Sequence, residues 1–224
     1  MKQITHKNNF TYLFLSLITL LFSSAVVAEI GESWIEDIFS LVTLSMFIVT
    51  IQSIKKDATW RWSLYTIIVS FTILTVLSKF FSHNLYVYLM LLVLLIFFVG
   101  AFSATAKQIL FSGDIDLNKL IGSLTLYMLL GLIWATIYLF ILVVDPQSFS
   151  GIEYEVGNWR EIFSHVAYYS FVTLTTLGYG DILPTNNISE FFVYMEAIAG
   201  VFYMAIIVSS LISLHISAID KNRS

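Results

Sequence analysis

A chain of 224 residues that is 58% hydrophobic and only 12% charged is not an ordinary soluble domain, in which about a quarter of residues carry charge. Its net charge is −4 and it has no cysteine, so disulfides and thiolate metal sites are excluded. The four histidines, His6, His83, His165 and His215, are far apart and show no ligand spacing, and no resident cofactor is expected.

The charges fall between long uncharged runs. A helix needs about 20 apolar residues to cross a bilayer. The runs that qualify are Phe10 to Ala28, Trp34 to Ile54, Trp62 to Phe81, Leu85 to Ala106, Leu120 to Val144 and Phe191 to Ile219. The first has two readings. Its basic start and the stretch "SSAVVAE" fit a secretory signal cleaved after Ala28. Its apolar run is longer than a usual signal core, which favours a retained helix. The second, third and fourth runs are also long enough to span. The fourth, Leu85 to Ala106, has no charge at all, and Lys107 stands only at its end.

Threading six spans with the amino terminus in the cytoplasm puts nine of the eleven Lys and Arg residues inside. Only Lys79 and Arg160 lie outside. Both termini are therefore expected in the cytoplasm of a multi-pass cell-membrane protein, with the segment from Asp145 to Glu190 on the outside.

That segment is the unusual one. Trp159 to Leu174 reads as a short helix, with Asn158 and Glu161 spaced as a capping box. About 16 residues can enter a membrane but not cross it and return. "TLGYGDILP" follows, where the glycines permit non-helical backbone and Pro184 stops any helix. Irregular backbone at membrane depth survives only inside protein or beside a water-filled path. The segment is thus a re-entrant helix plus an extended stretch of backbone. Asn187-Ile188-Ser189 matches a glycosylation sequon, but Asn187 with Glu190 also fits a cap for the last helix.

Within the last span, Glu196 is the only carboxylate, and such residues are functional candidates. It is expected behind the extended stretch, against the short helix; an acid reaching to water at the outer interface is the alternative. Gly200 stands one turn later, and Val201, Met204 and Val208 are spaced along one face. Small residues also serve close helix packing, so Gly200 has that alternative as well.

The stretch "TLTTLGYGD" resembles the signature of the tetrameric potassium channels, in which rings of backbone carbonyls replace the water shell of the ion. Leu177 departs mildly from the family, which carries valine there. The resemblance covers Asn118 to Ser217, and the earlier helices only in number and order. It implies an all-α integral membrane protein. Four peripheral transmembrane helices (residues 1–118) would precede a pore domain (residues 119–224) of two helices with a re-entrant pore helix and filter.

The resemblance implies K+ held by the carbonyls of Thr176, Leu177, Gly178 and Tyr179, with Gly180 finishing the turn at the outer mouth. The ring of Tyr179 would pack against the pore helix. Tyr168 and Tyr169 would stand in the aromatic cuff around the filter, where tryptophans are common, and Asp181 would bond to that cuff. Gly200 would be the hinge of the inner helix, with Val201, Met204 and Val208 facing the cavity. The implied function is passive K+ conduction by a homotetramer in the lipid bilayer, not an enzyme, with no nucleic-acid partner. A non-conducting regulatory subunit and a potassium uptake transporter subunit are the other readings. Since the fourth helix lacks the regularly spaced cations that sense voltage, steep voltage gating is not expected.

Overall fold

The computed structural model describes residues 8–30, 33–54, 58–80, 84–111, 117–153 and 159–205. The expected cap at Asn158, Val208, three of the histidines (His6, His83, His215) and the last span beyond residue 205 lie outside them. The described residues form seven helices and one pair of very short strands. They are α1 (Asn9–Ile30), α2 (Ser33–Ser53), α3 (Ala58–Phe80), α4 (Asn84–Phe111), α5 (Leu117–Val144), β1 (Phe149–Ser150), α6 (Trp159–Leu174), β2 (Leu183–Pro184) and α7 (Asn187–Tyr203).

Three helices are long and apolar enough to cross a membrane among the described residues: Asn9–Ile30, Leu85–Ile109 and Asn118–Val144. Two shorter apolar helical stretches cover Asp37–Ser53 and Tyr65–Ser78. This is an all-helical protein built for a bilayer, since helices satisfy every backbone group internally.

α5 is the hub. It packs against α1, α4, α6 and α7. α1 lies against α2, α5 and α6, and buries Leu13, Leu17, Leu20, Ser24 and Val27 at helical spacing. The first apolar run is therefore a packed member of the bundle. Its start is held by amide bonds. Asn9 donates to the Ser53 carbonyl at 2.9 Å, and Asn118 donates to Asn9 Oδ1 at 2.7 Å. The Phe10 amide, one of the unsatisfied donors of a helix start, reaches Asn118 Oδ1 at 3.2 Å. α2 also touches the short helix: the ring of Phe39 lies 6.3 Å from Trp159 and 5.8 Å from Phe163. α3 sits at the edge, with Phe71 buried and Tyr65, Val69, Ile73 and Val76 open.

β1 and β2 were not evident in the sequence. They pair antiparallel, Phe149 with Pro184 and Ser150 with Leu183. The ladder continues as the Thr185 amide donates to the Ser148 carbonyl at 3.0 Å. Pro184 is tolerated because such a short edge pair needs few donors. The pair clasps the chain leaving the Gly-rich stretch to the end of α5.

The cap of α7 corrects the sequence reading by one residue. Asn186, not Asn187, is the N-cap, with extended backbone at φ −136 and ψ 162. Ser189, not Glu190, closes the capping box: its amide donates to Asn186 Oδ1 at 2.9 Å, and the Asn186 amide donates to Ser189 Oγ at 3.3 Å. Asn186 wins because its side chain also donates to Asp145 at 3.1 Å and to Ser148 at 3.2 Å, fixing it outside the helix. The sequon serine is thus buried in a helix cap.

Candidate functional site

The site is the turn from α6 into β2, residues 175–182, with the faces of α5, α6 and α7 behind it. α6 ends in a Schellman motif. The Thr176 amide donates to the Thr173 carbonyl at 2.9 Å and the Leu177 amide to the Val172 carbonyl at 2.9 Å. Such an end wants a left-handed residue, usually glycine, yet here Thr176 supplies φ 59. A β-branched residue there costs about 1–2 kcal/mol, so the surroundings hold it in place.

The left hand then recurs at every second residue. Gly178 has φ 57 and Gly180 has φ 80, while Leu177 and Tyr179 keep negative φ. Alternating hand turns successive peptide carbonyls to one side, where a β-strand would send them to two. A Cβ added at Gly178 or Gly180 would meet nothing within 4 Å. These glycines are required for their backbone angles and not for space.

Among the described residues nothing covers this backbone. Residues 175–181 are all exposed, with Leu177 at 54% and Tyr179 at 67%. The Tyr179 ring lies beside α6 residues along one cavity and stays largely exposed. A cavity of about 280 Å³ lies beside the turn, lined by Tyr169, Val172 and Thr173 of α6, Val193 and Ala197 of α7, and the turn itself.

The two tyrosines of α6 part company. Tyr168 is exposed, and its hydroxyl donates to Asp181 at 2.7 Å. That bond holds the Asp181 carboxyl below its ordinary range. Tyr169 turns inward to rings on α5 and β1, 5.3 Å from Tyr138 and 5.5 Å from Phe149. The helix period separates neighbouring residues by about 100°, so one tyrosine braces the turn and the other enters the core.

Glu196 is wholly buried and does not reach the outer interface. It sits between three helices, with Ser170 of α6 2.5 Å from one carboxyl oxygen and the Tyr138 hydroxyl of α5 donating to the other. Neither Tyr138, Ser170 nor Gly131 stands out in the sequence. Tyr138 is one aromatic in a run of apolar residues, and only the helix register shows that it faces Glu196. Gly131 lets α6 approach α5, because a Cβ there would stand 2.5 Å from the ring of Phe171.

Gly200 has a packing role. A Cβ there would stand 2.1 Å from the Leu174 carbonyl, the last of α6. The same carbonyl accepts from the Tyr127 hydroxyl at 3.1 Å, and the Tyr127 ring lies tilted 5.1 Å from that of Tyr203, whose hydroxyl donates to the Ser123 carbonyl. Val201 and Met204 are exposed. The chain leaves α geometry for a π turn at Met204–Ala205, one turn past Gly200. Among the described residues no cluster of His, Asp or Glu could hold a metal ion.

Membrane-length helices around an uncovered, hand-alternating turn define an integral membrane protein. The sequence model of a family described as "Ion channel" matches residues 124–216, from the first turns of α5 through α7. The match encloses the turn and the faces of α6 and α7 behind it, and supports an ion-channel function for this region. No curated protein and no solved structure matches the chain.

Proposed function

We propose that the chain is the pore-forming subunit of a homotetrameric, potassium-selective channel of the cell membrane, with both termini cytoplasmic. The observation that carries this reading is the backbone from Thr176 to Gly180. It alternates in hand, carries a potassium-channel-like sequence, and is exposed among the described residues. Polar backbone at membrane depth needs water or protein around it. Four copies about an axis supply both, and one-sided carbonyls become rings that replace the hydration of K+.

In this reading α6 is the pore helix, Thr176, Leu177, Gly178 and Tyr179 coordinate K+, and Gly180 ends the filter. Tyr168 and Asp181 brace its outer mouth, and Tyr169 and Glu196 fix the pore helix from behind. α7 is the inner helix, with Gly200 as its hinge and Val201 and Met204 along the cavity. Residues 1–118 form the peripheral part and 119–224 the pore domain. Conduction is passive and not steeply voltage-gated.

Reconstitution of the purified chain into liposomes tests this. Rubidium uptake with sodium excluded is the expected result. Equal uptake of the two ions, or none, overturns it.

A further inference from the structure

Glu196 makes a hydrogen-bond count possible. Ser170 Oγ lies 2.5 Å from Glu196 Oε1 and 2.7 Å from the Gly131 carbonyl of α5. The Tyr138 hydroxyl meets Glu196 Oε2. These are three oxygen–oxygen contacts, and each needs one hydrogen. Ser170 and Tyr138 bring one each, and a backbone carbonyl brings none. The third hydrogen must come from Glu196. Glu196 then donates to Ser170, Ser170 donates to Gly131, and Tyr138 donates to the second carboxyl oxygen. With an ionised carboxylate Ser170 could serve only one of its two neighbours.

The surroundings agree. The titratable groups facing the carboxyl are Tyr127 and Tyr138 from α5 and Tyr169 from α6. No described lysine, arginine or histidine acts on it. A buried charge without a partner is the costly case, and a neutral acid avoids it.

The chain has mechanical consequence because it spans three helices. Gly131 already brings α6 flush against α5, so Ser170 has little room to adjust. Rings of Tyr169 and Phe149 fix Tyr138. We propose that Glu196 is carried as a neutral acid and is a positioning residue, its proton tying the pore helix to α5 and α7 so that loss of the proton frees the pore helix and stops conduction. The flux part of this rests on the channel reading above; the protonation part does not.

The test uses the full chain in liposomes. Infrared difference spectra should show a protonated carboxyl at neutral pH that disappears in Glu196→Gln, a readout independent of flux. Rubidium flux of the parent should fall about tenfold between about pH 7 and about pH 10, the range in which buried carboxyls give up their protons. Glu196→Gln keeps a donor and an acceptor, and should change by less than about twofold over that range. Tyr138→Phe removes a donor that favours the anion, so its alkaline fall should come at higher pH than the parent's, and it serves alone if Glu196→Gln does not assemble. An ionised Glu196 at neutral pH, or the same alkaline fall in parent and Glu196→Gln, overturns the proposal. The protonated band without rubidium flux at any pH overturns the channel reading, and the positioning role with it.

Discussion

α4 and α6 invert the usual relation between greasiness and burial. α4 has no charge from Leu85 to Ala106, yet Leu85, Leu89, Leu92, Ile96 and Val99 form an open stripe along it. Their spacing of three and four residues is one face of a helix. α6 carries Arg160, Glu161, His165 and two serines, yet ten of its sixteen residues are buried. In a bilayer the apolar face has no drive to hide, because lipid is as apolar as leucine. The helix with polar groups is the one that needs protein around it. α6 is accordingly gripped by α1, α2, α5 and α7, while α4 packs one face on α3, α5 and, through Phe97 on Phe47, α2, and leaves the other open. The contrast says that the polar helix is the one the fold must surround, while the apolar stripe of α4 can stay open.

Breaking the conformation at the end of α6 should have the largest effect. Gly178→Ala forces a Cβ into a left-handed residue at a cost of about 1–2 kcal/mol in every copy. Nothing nearby clashes with that Cβ, so the chain should still fold and assemble while rubidium over sodium selectivity is lost. A variant that assembles and stays selective would remove the filter assignment.

Gly200→Ala tests the packing of α7 on α6. The new Cβ meets a backbone carbonyl at 2.1 Å, so a helix must move. Overpacking of this kind costs about 1–3 kcal/mol, to be read as a lower melting temperature in detergent. An unchanged melting temperature would mean that α7 does not lie on α6 as described.

Asn186→Ala removes the cap of α7 and the side-chain bonds to Asp145 and Ser148. A loss of about 1 kcal/mol is expected from the cap. Asn187→Ala should cost much less, and thermal denaturation of the two variants side by side decides the register.

Tyr168→Phe acts through pH. The Tyr168 bond depresses the folded-state pKa of Asp181. Its contribution is therefore complete above the unfolded value of about 4 and is lost as pH falls through the lower folded value. Without the hydroxyl, the acid loss of flux should begin at higher pH than in the parent. Acid limbs that coincide would show that the pair does not support the outer mouth.

The smallest expected effect concerns α4. Moving one charge through the membrane field supplies about 2.3 kcal/mol per 100 mV, and α4 carries none between Leu85 and Ala106, with Lys107 only beyond that run. Open probability in planar bilayers should change little between about −100 and +100 mV. Steep sigmoidal activation would reverse the comparison and make α4 the sensor.

The membrane class, the helix positions and the place of the Gly-rich turn were legible in the sequence, because composition and apolar run length act locally and need no partner. Resemblance pointed to residues 176–180 for the same reason: a short motif with glycines at fixed spacing constrains its own backbone. The tertiary structure alone decided the rest. It brought Tyr138, Ser170 and Gly131 around Glu196, since three helices must dock before a tyrosine in an apolar run can meet a distant carboxyl. It paired Phe149–Ser150 with Leu183–Pro184 across 33 positions, as in the Ser150–Leu183 bond, which no local pattern encodes. It moved the α7 cap from Asn187 to Asn186, because Asp145 and Ser148 compete for that side chain. It put α1 against α5 and α6, where the sequence favoured a retained helix but left a cleaved signal as the alternative, because hydropathy measures affinity for an apolar medium and does not distinguish lipid from protein.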